Sequence, residues 1–314
     1  MAAQDQIDVV TGAFSYSGAA IAAELRARGH RVRTLTGHPG RAPSGTDIDI
    51  RPLDFADPDG LERSLCGAST LYNTYWVRFA RGQASHETAV ANSRVLFDAA
   101  ARARIQRIVH VSITHADPAS PYPYFRGKAE VEAHLMSLGV PYAIARPAIL
   151  FGGNGVLVNN IAWLLRRLPI FAIGGRGAYR VRAIHVEDLA RLCADLGGRD
   201  DSVRLDAVGP QSLPFRDLVT VIRDAVGSHA AIVPVPARLI PPLSSVLGVL
   251  LRDVLLTRDE YLAMAAGLAD SDAPATGHIA FTDWLAEHGQ ELGRTYANEI
   301  NLHFRPSLAG EPAR

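Results

Sequence analysis

A glycine-punctuated turn near the N-terminus is the feature that most constrains the fold. The segment IDVVTGAFSYSGAAIAAELRARGHRVRTLT predicts an apolar strand at Ile7–Val10, a turn at Thr11–Gly18, an alanine-rich helix ending at Gly29 and a second strand from Arg31. A strand-turn-helix unit of this kind brings the main-chain N–H groups of the turn and the helix N-terminus to one point, where a pyrophosphate binds. The sequence therefore predicts a dinucleotide site.

The turn departs from the usual T-G-x-x-G-x-x-G pattern at one position. Gly12 permits the tight turn, and Gly18 lets the helix pack closely on the sheet. Ser15 stands where the pattern has its middle glycine. We expect its Cβ to narrow the approach of a phosphate and its hydroxyl to be available as a donor; the alternative is a turn that binds nothing. The predicted cofactor contacts in the turn are Thr11, Gly12, Phe14, Ser15, Tyr16 and Gly18.

The end of the second strand indicates which dinucleotide is preferred. A carboxylate there holds the adenosine ribose of NAD and repels a 2′-phosphate. The segment RTLTGHPGR, residues 33–41, has no carboxylate and offers hydroxyl, imidazole and guanidinium donors. It therefore favours NADP(H) over NAD(H), although its arginines are also explained as solvated loop charges. The predicted contacts are Thr36, Gly37, His38 and Arg41.

The composition narrows the class of protein. The chain has 314 residues, and its 32 basic residues balance 32 acidic ones, so no overall field favours nucleic acid. Cys66 and Cys193 lie far apart without metal-ligand spacing, which predicts no metal site and suits a reducing cytoplasm. The first strand begins by Ile7, leaving no room for a signal peptide, and we expect a cytoplasmic protein.

One apolar run needs checking as a membrane span. LIPPLSSVLGVLL, Leu239–Leu251, is shorter than the ~20 residues that a spanning helix needs, and two prolines interrupt it near its start. We expect no membrane span here. The run is interpreted as a core-packing or substrate-covering helix, with an interfacial role as the alternative.

Strands alternate with helices through the first half of the chain. Strands are predicted at Asp47–Leu53, Leu65–Trp76, Ile105–Ile113 and Val140–Leu150, with a helix at Glu87–Arg104. The pattern predicts an α/β fold: a Rossmann-type doubly wound parallel sheet with helices on both faces and ligands at the carboxyl ends of the strands. Asp54, Phe55, Thr74 and Tyr75 follow such ends and are predicted cofactor contacts.

The domain organisation is predicted to be interleaved. Residues 1–150 form the dinucleotide-binding domain, and YRVRAIHVEDLARL predicts a return to its sheet near 180–196. Residues 151–305 are mainly a smaller C-terminal substrate lobe, and residues 306–314 are a flexible tail.

Tyr124 and Lys128 stand four residues apart in PYPYFRGKAEVEAHL. On a helix, residues i and i+4 share a face, so the phenol and the ammonium point the same way. A nearby cation lowers the pKa of a phenol toward the range where it exchanges protons near neutral pH. The pair is typical of a nicotinamide-dependent enzyme; the alternative is a packed tyrosine beside a solvated lysine.

With these motifs the chain resembles the short-chain dehydrogenase/reductase superfamily, in its extended and atypical NAD(P)-dependent epimerase/dehydratase-like (NmrA-like) branch. The resemblance covers roughly residues 5–305 and is carried by YPYFRGKAEVEAHL, ARPAILFGGNG and RAIHVEDLA. It implies that Tyr124 is the general acid/base and that Lys128 binds the nicotinamide ribose and keeps the phenol reactive. Asn92 matches the asparagine of a proton relay, with a hydrogen bond to neighbouring backbone as the alternative.

The resemblance also assigns residues beside the nicotinamide and the substrate. The family's catalytic hydroxyl falls on Ile113 here, so Ser112 is the first candidate and Thr114 nearly equal. Pro147 and Ile149 match the segment beside the nicotinamide ring. The candidates for the substrate pocket, which core packing explains as well, are Trp76, Phe151, Asn154, Asn159 and Trp163.

Three functions remain open at this point. The first is an NADP(H)-dependent ketoreductase acting on a small-molecule carbonyl or alcohol. The second is an epimerase or dehydratase of a sugar nucleotide, whose diphosphate could be held by Arg166, Arg167, Arg176, Arg180 and Arg182. The third is a non-catalytic NAD(P)-binding regulator or scaffold. A homodimer is implied by the resemblance alone.

Overall fold

The chain divides into two compact units in a computed structural model that describes residues 6–304. The first unit comprises the described residues up to Pro147 together with Leu189–Ala207. The second unit comprises Ala148–Asp188 and the described residues from Val208 onward. The tail predicted at residues 306–314 lies outside the described residues.

The elements follow in chain order. The strands are β1 (Ile7–Thr11), β2 (Arg31–Thr36), β3 (Asp49–Pro52), β4 (Thr70–Asn73), β5 (Arg107–Val111), β6 (Tyr142–Pro147), β7 (Ile149–Phe151), β8 (Ile170–Gly174), β9 (Arg180–Val181), β10 (Ala183–His185), β11 (Val203–Ala207), β12 (Leu213–Pro214) and β13 (Ala231–Val235). The α-helices are α1 (Tyr16–Ala27), α2 (Pro58–Leu65), α3 (His86–Arg102), α4 (Pro123–Ser137), α5 (Val156–Arg167), α6 (Val186–Gly197), α7 (Phe215–Ala225), α8 (Ile240–Leu251), α9 (Arg258–Ala265), α10 (Phe281–His288) and α11 (Glu299–Phe304). Short 3₁₀ helices occupy Pro39–Arg41 and Ala237–Leu239.

The first unit is built on a parallel sheet of seven strands. The strand order is β11-β6-β5-β4-β1-β2-β3, and every neighbouring pair is parallel. The order reverses between β1 and β4, so the crevice where ligands bind in such sheets lies at the carboxyl ends of these two strands. The predicted Rossmann-type fold is confirmed.

Burial explains why these segments form strands. All five residues of β5 are buried, as are four of the five in β1, which is expected of strands covered on both faces. Two boundaries differ from the predictions. Leu65 ends α2 instead of opening β4, and the run 140–150 divides at Ala148 into β6 and β7, because β7 pairs with β10 in the second unit.

The return to the first unit also differs from the prediction. It spans Leu189–Ala207 rather than residues near 180–196. The segment YRVRAIHV forms β9 and β10, which pair with β12 and β7 inside the second unit. The seventh strand of the large sheet is β11 instead, which pairs with β6.

The second unit consists of three two-stranded sheets and helices around one apolar core. Buried side chains of α5, α7 and α10 meet in that core. The apolar run at 239–251 forms α8, which buries Ile240 and Gly248 and leaves its outward side chains exposed, so core packing accounts for one side of the helix only. None of the helices within residues 6–304 combines the length and apolar character that crossing a membrane requires.

Candidate active site

Two glycines of the turn are required by the backbone. Gly12 has a φ of +66°, and a Cβ added there would lie 2.9 Å from the Ser15 Oγ. A Cβ at Gly18 would lie only 2.2 Å from the Gly12 carbonyl oxygen, because the first turn of α1 packs against the end of β1. Any larger residue at Gly18 therefore forces the turn apart. The space that these glycines keep open fits the close approach of a pyrophosphate.

Ser15 occupies the middle position of the turn without strain. Its φ of −98° and ψ of 173° are extended values that any residue adopts, so the position does not require glycine for its backbone. Its hydroxyl donates to the Gly12 carbonyl at 2.6 Å. No side-chain hydrogen bond caps α1, and its first turn contains no acidic residue. The N-terminal amides of α1 therefore suit an anion.

Thr34 holds the turn against the neighbouring strand. Its Oγ1 accepts a hydrogen bond from the Ala13 N–H at 3.0 Å and donates to the Val10 carbonyl at 2.9 Å. Sequence reasoning missed this residue as part of the site. The signal was present, since Thr34 is a polar residue between Val32 and Leu35, the two apolar residues of this strand.

A buried hydrogen-bond network joins the ends of β1 and β4. Thr11 and Thr74 exchange two bonds of 2.7 Å: the Thr74 N–H donates to the Thr11 Oγ1, and the Thr74 Oγ1 donates to the Thr11 carbonyl. The Thr11 Oγ1 also donates to the Asn73 Oδ1 at 3.1 Å. Two predicted cofactor residues are thereby fixed at the point where the strand order reverses.

His110 closes this network from β5 and was not predicted. The Asn73 amide nitrogen lies 3.1 Å from the His110 Nδ1. Complete burial, with a smaller contribution from the Lys128 charge, lowers the pKa of His110 well below its usual range. The ring is therefore neutral, with Nδ1 accepting from Asn73 and the proton on Nε2.

The segment after β2 has the donors that the sequence predicted. The His38 N–H donates to the Thr36 Oγ1 at 3.0 Å, which orders the start of the loop. Arg41 lies in the following 3₁₀ helix, and partial burial lowers the pKa of its guanidinium. Arg33 is a structural residue, because its Nε donates to Asp49 at 2.8 Å and another of its nitrogens donates to the Ser64 carbonyl.

Phe55, Tyr75 and Asn92 are brought together beside the end of β4. The rings of Phe55 and Tyr75 lie 4.7 Å apart between centroids. The Asn92 amide donates to the Tyr75 hydroxyl at 2.8 Å, rather than to neighbouring backbone. Asp54 turns its carboxylate to the Ala56 N–H at 2.9 Å, which closes a local turn after β3.

Tyr124 lies in the first turn of α4 and packs against an aromatic pair. Its half-buried ring meets the rings of Trp76 and His86 edge to face, each at 5.6 Å between centroids. Trp76 and His86 are stacked on each other, with an interplanar angle of 12°. Three rings from the loop after β4, from α3 and from α4 therefore form one wall, and His86 is a member of it that the sequence did not reveal.

Lys128 is buried one turn further along α4. Its Nζ donates to the Val111 carbonyl at 2.9 Å and lies 4.5 Å from the centroid of the Trp76 ring. Burial lowers its pKa to about 7, and the charge of Glu132 opposes only part of that shift. Lys128 is the only lysine in a chain with 32 basic residues, and this signal was overlooked in the sequence. An arginine here would stay charged at every accessible pH, whereas a lysine can release its proton.

Ser112 is engaged by the protein interior. Its Oγ donates to the Glu132 Oε1 at 2.5 Å, and Arg146 forms a two-pronged ion pair with the same carboxylate. A carboxylate paired with arginine only accepts hydrogen bonds, so the single hydroxyl proton of Ser112 is committed. Thr114, two residues further along the chain, is also buried, and its N–H donates to the Pro147 carbonyl at 3.1 Å.

The remaining predicted residues lie in the second unit and make contacts there. Phe151 is fully buried against Phe281 and Trp284, at 5.1 and 5.5 Å between ring centroids. Asn159 donates to the Thr295 carbonyl and accepts from Gly293. The other three predicted residues are placed as follows: Trp163 packs on Tyr296 at 5.1 Å, Ile149 lies in β7, and Asn154 is exposed.

The arginines of the second unit hold main-chain groups. Arg166 and Arg167 donate to the carbonyls of Leu292 and Gly293. Arg182 donates to three carbonyls, those of Gly209, Ser271 and Ala273. Arg180 binds Ser212 and pairs with Asp270 at 3.5 Å, and Arg176 is exposed. Four of the five arginines considered for a diphosphate are therefore already used by the fold.

The turn, the strand order and the Tyr124–Lys128 helix together define a Rossmann-type nucleotide-binding protein. Residues 12–162 match the family described as NAD(P)H-binding. The resemblance to the extended short-chain dehydrogenase/reductase branch is confirmed to this extent, and with it the prediction of a nicotinamide dinucleotide as cofactor.

Two curated proteins are similar to the chain. The mitochondrial NADH-ubiquinone oxidoreductase 40 kDa subunit of Neurospora crassa is 23% identical over 211 residues, covering 66% of this chain and 55% of the subunit. This chain thus matches about half the length of that relative. The 4-hydroxy-2-methyl-3-oxo-4-farnesyl-3,4-dihydroquinoline-1-oxide ketoreductase of Stigmatella aurantiaca is 24% identical over 254 residues, covering 72% of this chain and 75% of that protein.

Among solved structures, the NADPH-dependent quinone oxidoreductase QOR2 of Escherichia coli, complexed with NADPH, superposes with a TM-score of 0.74. The sequences are 19% identical, and the match covers 91% of this chain and 99% of that one. This likeness supports the fold.

Proposed function

We propose that this chain is an NADP(H)-dependent oxidoreductase that reduces the carbonyl group of an apolar, ring-bearing substrate. The observation that carries the proposal is the arrangement on α4, where Tyr124 and Lys128 both contact the Trp76 ring and the buried Lys128 ammonium donates to the Val111 carbonyl. This arrangement lies in the unit that contains the dinucleotide turn.

The residues present fit the cofactor. The pyrophosphate would be held by the N-terminal amides of α1 above the Gly12–Gly18 contact, where a Cβ has no room. Thr36, Gly37, His38 and Arg41 would bind the adenosine ribose and its 2′-phosphate, since the segment has no carboxylate. The nicotinamide, when bound, supplies a hydride to the substrate carbon.

The protein's part in the reaction is proton transfer and orientation. As the C–H bond forms, the carbonyl C=O becomes a C–O single bond, and the Tyr124 hydroxyl gives its proton to that oxygen. The phenolate regains a proton from solvent. The Lys128 ammonium, in a site that excludes water, favours the phenolate during that interval.

The hydroxyl that polarises the carbonyl would come from Ser112 or from Thr114. Such a group must donate a hydrogen bond to the substrate oxygen, so the Ser112 hydroxyl would first have to leave Glu132, to which it donates at 2.5 Å. Asn92 is assigned to positioning Tyr75, to which it donates.

The substrate class follows from the wall formed by Trp76, His86 and Tyr124. Flat aromatic faces favour a ring-bearing carbonyl over a charged sugar diphosphate. The similar ketoreductase and quinone oxidoreductase support this choice. The sugar-nucleotide reading loses support because Arg166, Arg167, Arg180 and Arg182 bind groups of their own unit. A homodimer and a cytoplasmic location stay predictions of the sequence.

A second candidate is an NADP(H)-binding protein without turnover. It is favoured by one observation: Lys128 and Ser112 each donate a hydrogen bond to a protein group. The two candidates differ in whether removing the Tyr124 hydroxyl lowers a rate of substrate reduction.

The test compares Tyr124→Phe with Tyr122→Phe, a matched loss of one hydroxyl two residues away. The first variant should lower kcat for ketone reduction by about 10²- to 10⁴-fold, with the Kd for NADPH unchanged, and the second should leave both values alone. NADPH binding without turnover of any ketone or quinone in a broad panel would establish the second candidate. Full activity of Tyr124→Phe would refute the assigned role.

A further inference from the structure

The most exposed apolar surface of the described residues lies on α8. Leu239, which directly precedes the helix, and Leu243, Val246 and Leu250 within it recur at intervals of four, three and four residues. This spacing places them on one stripe, and Val249 lies beside them. Val249 is 79% exposed, Leu250 73% and Val246 62%. We call these five residues the outer face of α8.

The opposite side of α8 is anchored, so the outer face has a fixed direction. Ile240 and Gly248 are buried, and a Cβ at Gly248 would lie 2.7 Å from the Asp253 carbonyl oxygen. The Ser244 hydroxyl donates to the Leu256 carbonyl at 3.0 Å. The helix ends at Leu251, and the chain turns back at Arg252, whose φ is +52°.

Asp253 ties this turn to the C-terminal part of the second unit. Its carboxylate accepts from the Tyr296 hydroxyl at 2.6 Å and from the N–H groups of Glu299 and Ile300 at 3.0 and 3.1 Å. These hydrogen bonds fix the turn after α8, so the apolar side chains of the outer face are held toward solvent. A contiguous apolar face of this kind marks an interaction surface.

The charges around the outer face identify the partner's chemistry. Arg238 and Arg252 stand at its two ends, both exposed, and residues 239–251 contain no charged side chain. Two cations flanking an apolar strip match a surface with an apolar interior and anionic headgroups. Since α8 has 12 residues, it is about 18 Å long at 1.5 Å per residue, too short to cross a hydrocarbon layer of about 30 Å.

A second copy of the chain fits this face less well. If two outer faces packed antiparallel, each Arg238 would approach the other copy's Arg252; if they packed parallel, like arginines would meet. No acidic residue within the helix offsets either repulsion. Charge complementarity therefore favours lipid over self-association.

We propose that the outer face of α8 docks the protein on the surface of an anionic lipid membrane, with the helix in the plane of the interface. This property is independent of the proposed reduction reaction. It predicts that the protein partitions onto vesicles whether or not a carbonyl substrate is turned over.

The experiment is co-sedimentation of the full chain with vesicles of phosphatidylcholine, with and without added phosphatidylglycerol. Binding should require the anionic lipid and fall as salt is raised. Val249→Asp combined with Leu250→Asp should weaken vesicle binding by at least about tenfold, because two charges then enter the headgroup-acyl boundary. Arg238→Gln and Arg252→Gln should each weaken it by about fivefold.

Met136→Asp is the matched control, since Met136 is an exposed apolar residue of α4 in the first unit. It should bind vesicles like the unaltered chain. All variants should keep the same NADPH affinity and thermal unfolding midpoint, which separates this test from the fate of the proposed function. Absence of vesicle binding, or equal binding by the Val249→Asp/Leu250→Asp chain, would overturn the proposal. A dimer that this double variant dissociates would assign the face to a second copy instead.

Discussion

Replacing Lys128 by methionine should stabilise the folded protein near neutral pH while it lowers activity. Lys128 is buried, and its pKa is about 7 in the folded chain, against an ordinary value of 10.5. The folded state therefore carries an unfavourable buried charge at and below neutral pH. A residue kept at such a cost, in a chain that uses arginine for every other cation, is retained for function rather than for stability.

The magnitude follows from the shift and from one lost contact. A change from 10.5 to about 7 corresponds to about 5 kcal/mol at 1.36 kcal/mol per unit, of which about 4 kcal/mol applies at pH 7. Methionine removes that cost but leaves the Val111 carbonyl without the Lys128 donor, which costs about 1–3 kcal/mol. The expected net gain in the free energy of unfolding is about 1–3 kcal/mol at pH 7.

The sign of the pH dependence is fixed by which state binds the proton. Between about pH 7 and pH 10.5 the unfolded chain keeps the lysine proton and the folded chain releases it, so the unaltered protein becomes more stable as pH rises. The advantage of Lys128→Met should shrink by about 1.4 kcal/mol per pH unit over this window.

The assay is urea unfolding of both proteins at several pH values from about 7 to about 9, which covers roughly two pH units of this window. Arg94→Met is the control: Arg94 is an exposed cation, and its loss should change stability by less than about 0.5 kcal/mol at every pH. A single resonance from ¹⁵N-labelled lysine would report the pKa of Lys128 directly. A Lys128→Met chain that is less stable at pH 7, or a Lys128 pKa near 10, would refute the reasoning.

Three further predictions concern the cofactor turn, the 2′-phosphate and the two hydroxyls. Gly18→Ala should abolish tight NADPH binding, measured by calorimetric titration, because its Cβ would lie 2.2 Å from the Gly12 carbonyl oxygen; unchanged binding would exclude the turn as the site. Arg41→Ala should weaken NADPH by about tenfold, roughly 1.4 kcal/mol, and leave NADH binding unchanged; equal losses would argue against a 2′-phosphate contact. Ser112→Ala should lower the free energy of unfolding in urea by about 1–3 kcal/mol, since buried Glu132 then loses a hydrogen-bond partner. Thr114→Val should instead lower kcat. A loss of kcat in Ser112→Ala and none in Thr114→Val would assign the catalytic hydroxyl to Ser112.

Much of the fold could be predicted because the local sequence patterns agree with the burial that the structure shows. The alternation of buried strands with helices, and the glycines at 12 and 18, predicted the parallel sheet and its turn. The sequence predicts a single strand at 140–150 because both halves of the run are apolar. Only the pairing of β7 with β10, a contact between distant segments, reveals that the chain changes sheets at Ala148.

The sequence motif predicted the central residues of the site but not the residues that hold them in place. The i, i+4 spacing gave the Tyr124–Lys128 face, and continuing it by four residues reaches Glu132, whose hold on Ser112 no spacing rule discloses. Asn73 and His110 were visible only as polar residues in apolar strands. Their bond depends on the register that sets Asn73 opposite His110 in β4 and β5.

The central claim is that Tyr124 protonates a substrate oxygen while the bound dinucleotide reduces the adjacent carbon. The most direct measurement uses NADPH deuterated at the transferred position, an aromatic ketone and mass spectrometry of the alcohol product, with the chain and its Tyr124→Phe variant in parallel. Incorporation of one deuterium at the carbinol carbon by the unaltered chain, and its loss in the variant that still binds NADPH, is the predicted result. Undeuterated product, or equal incorporation by both chains, would contradict the account.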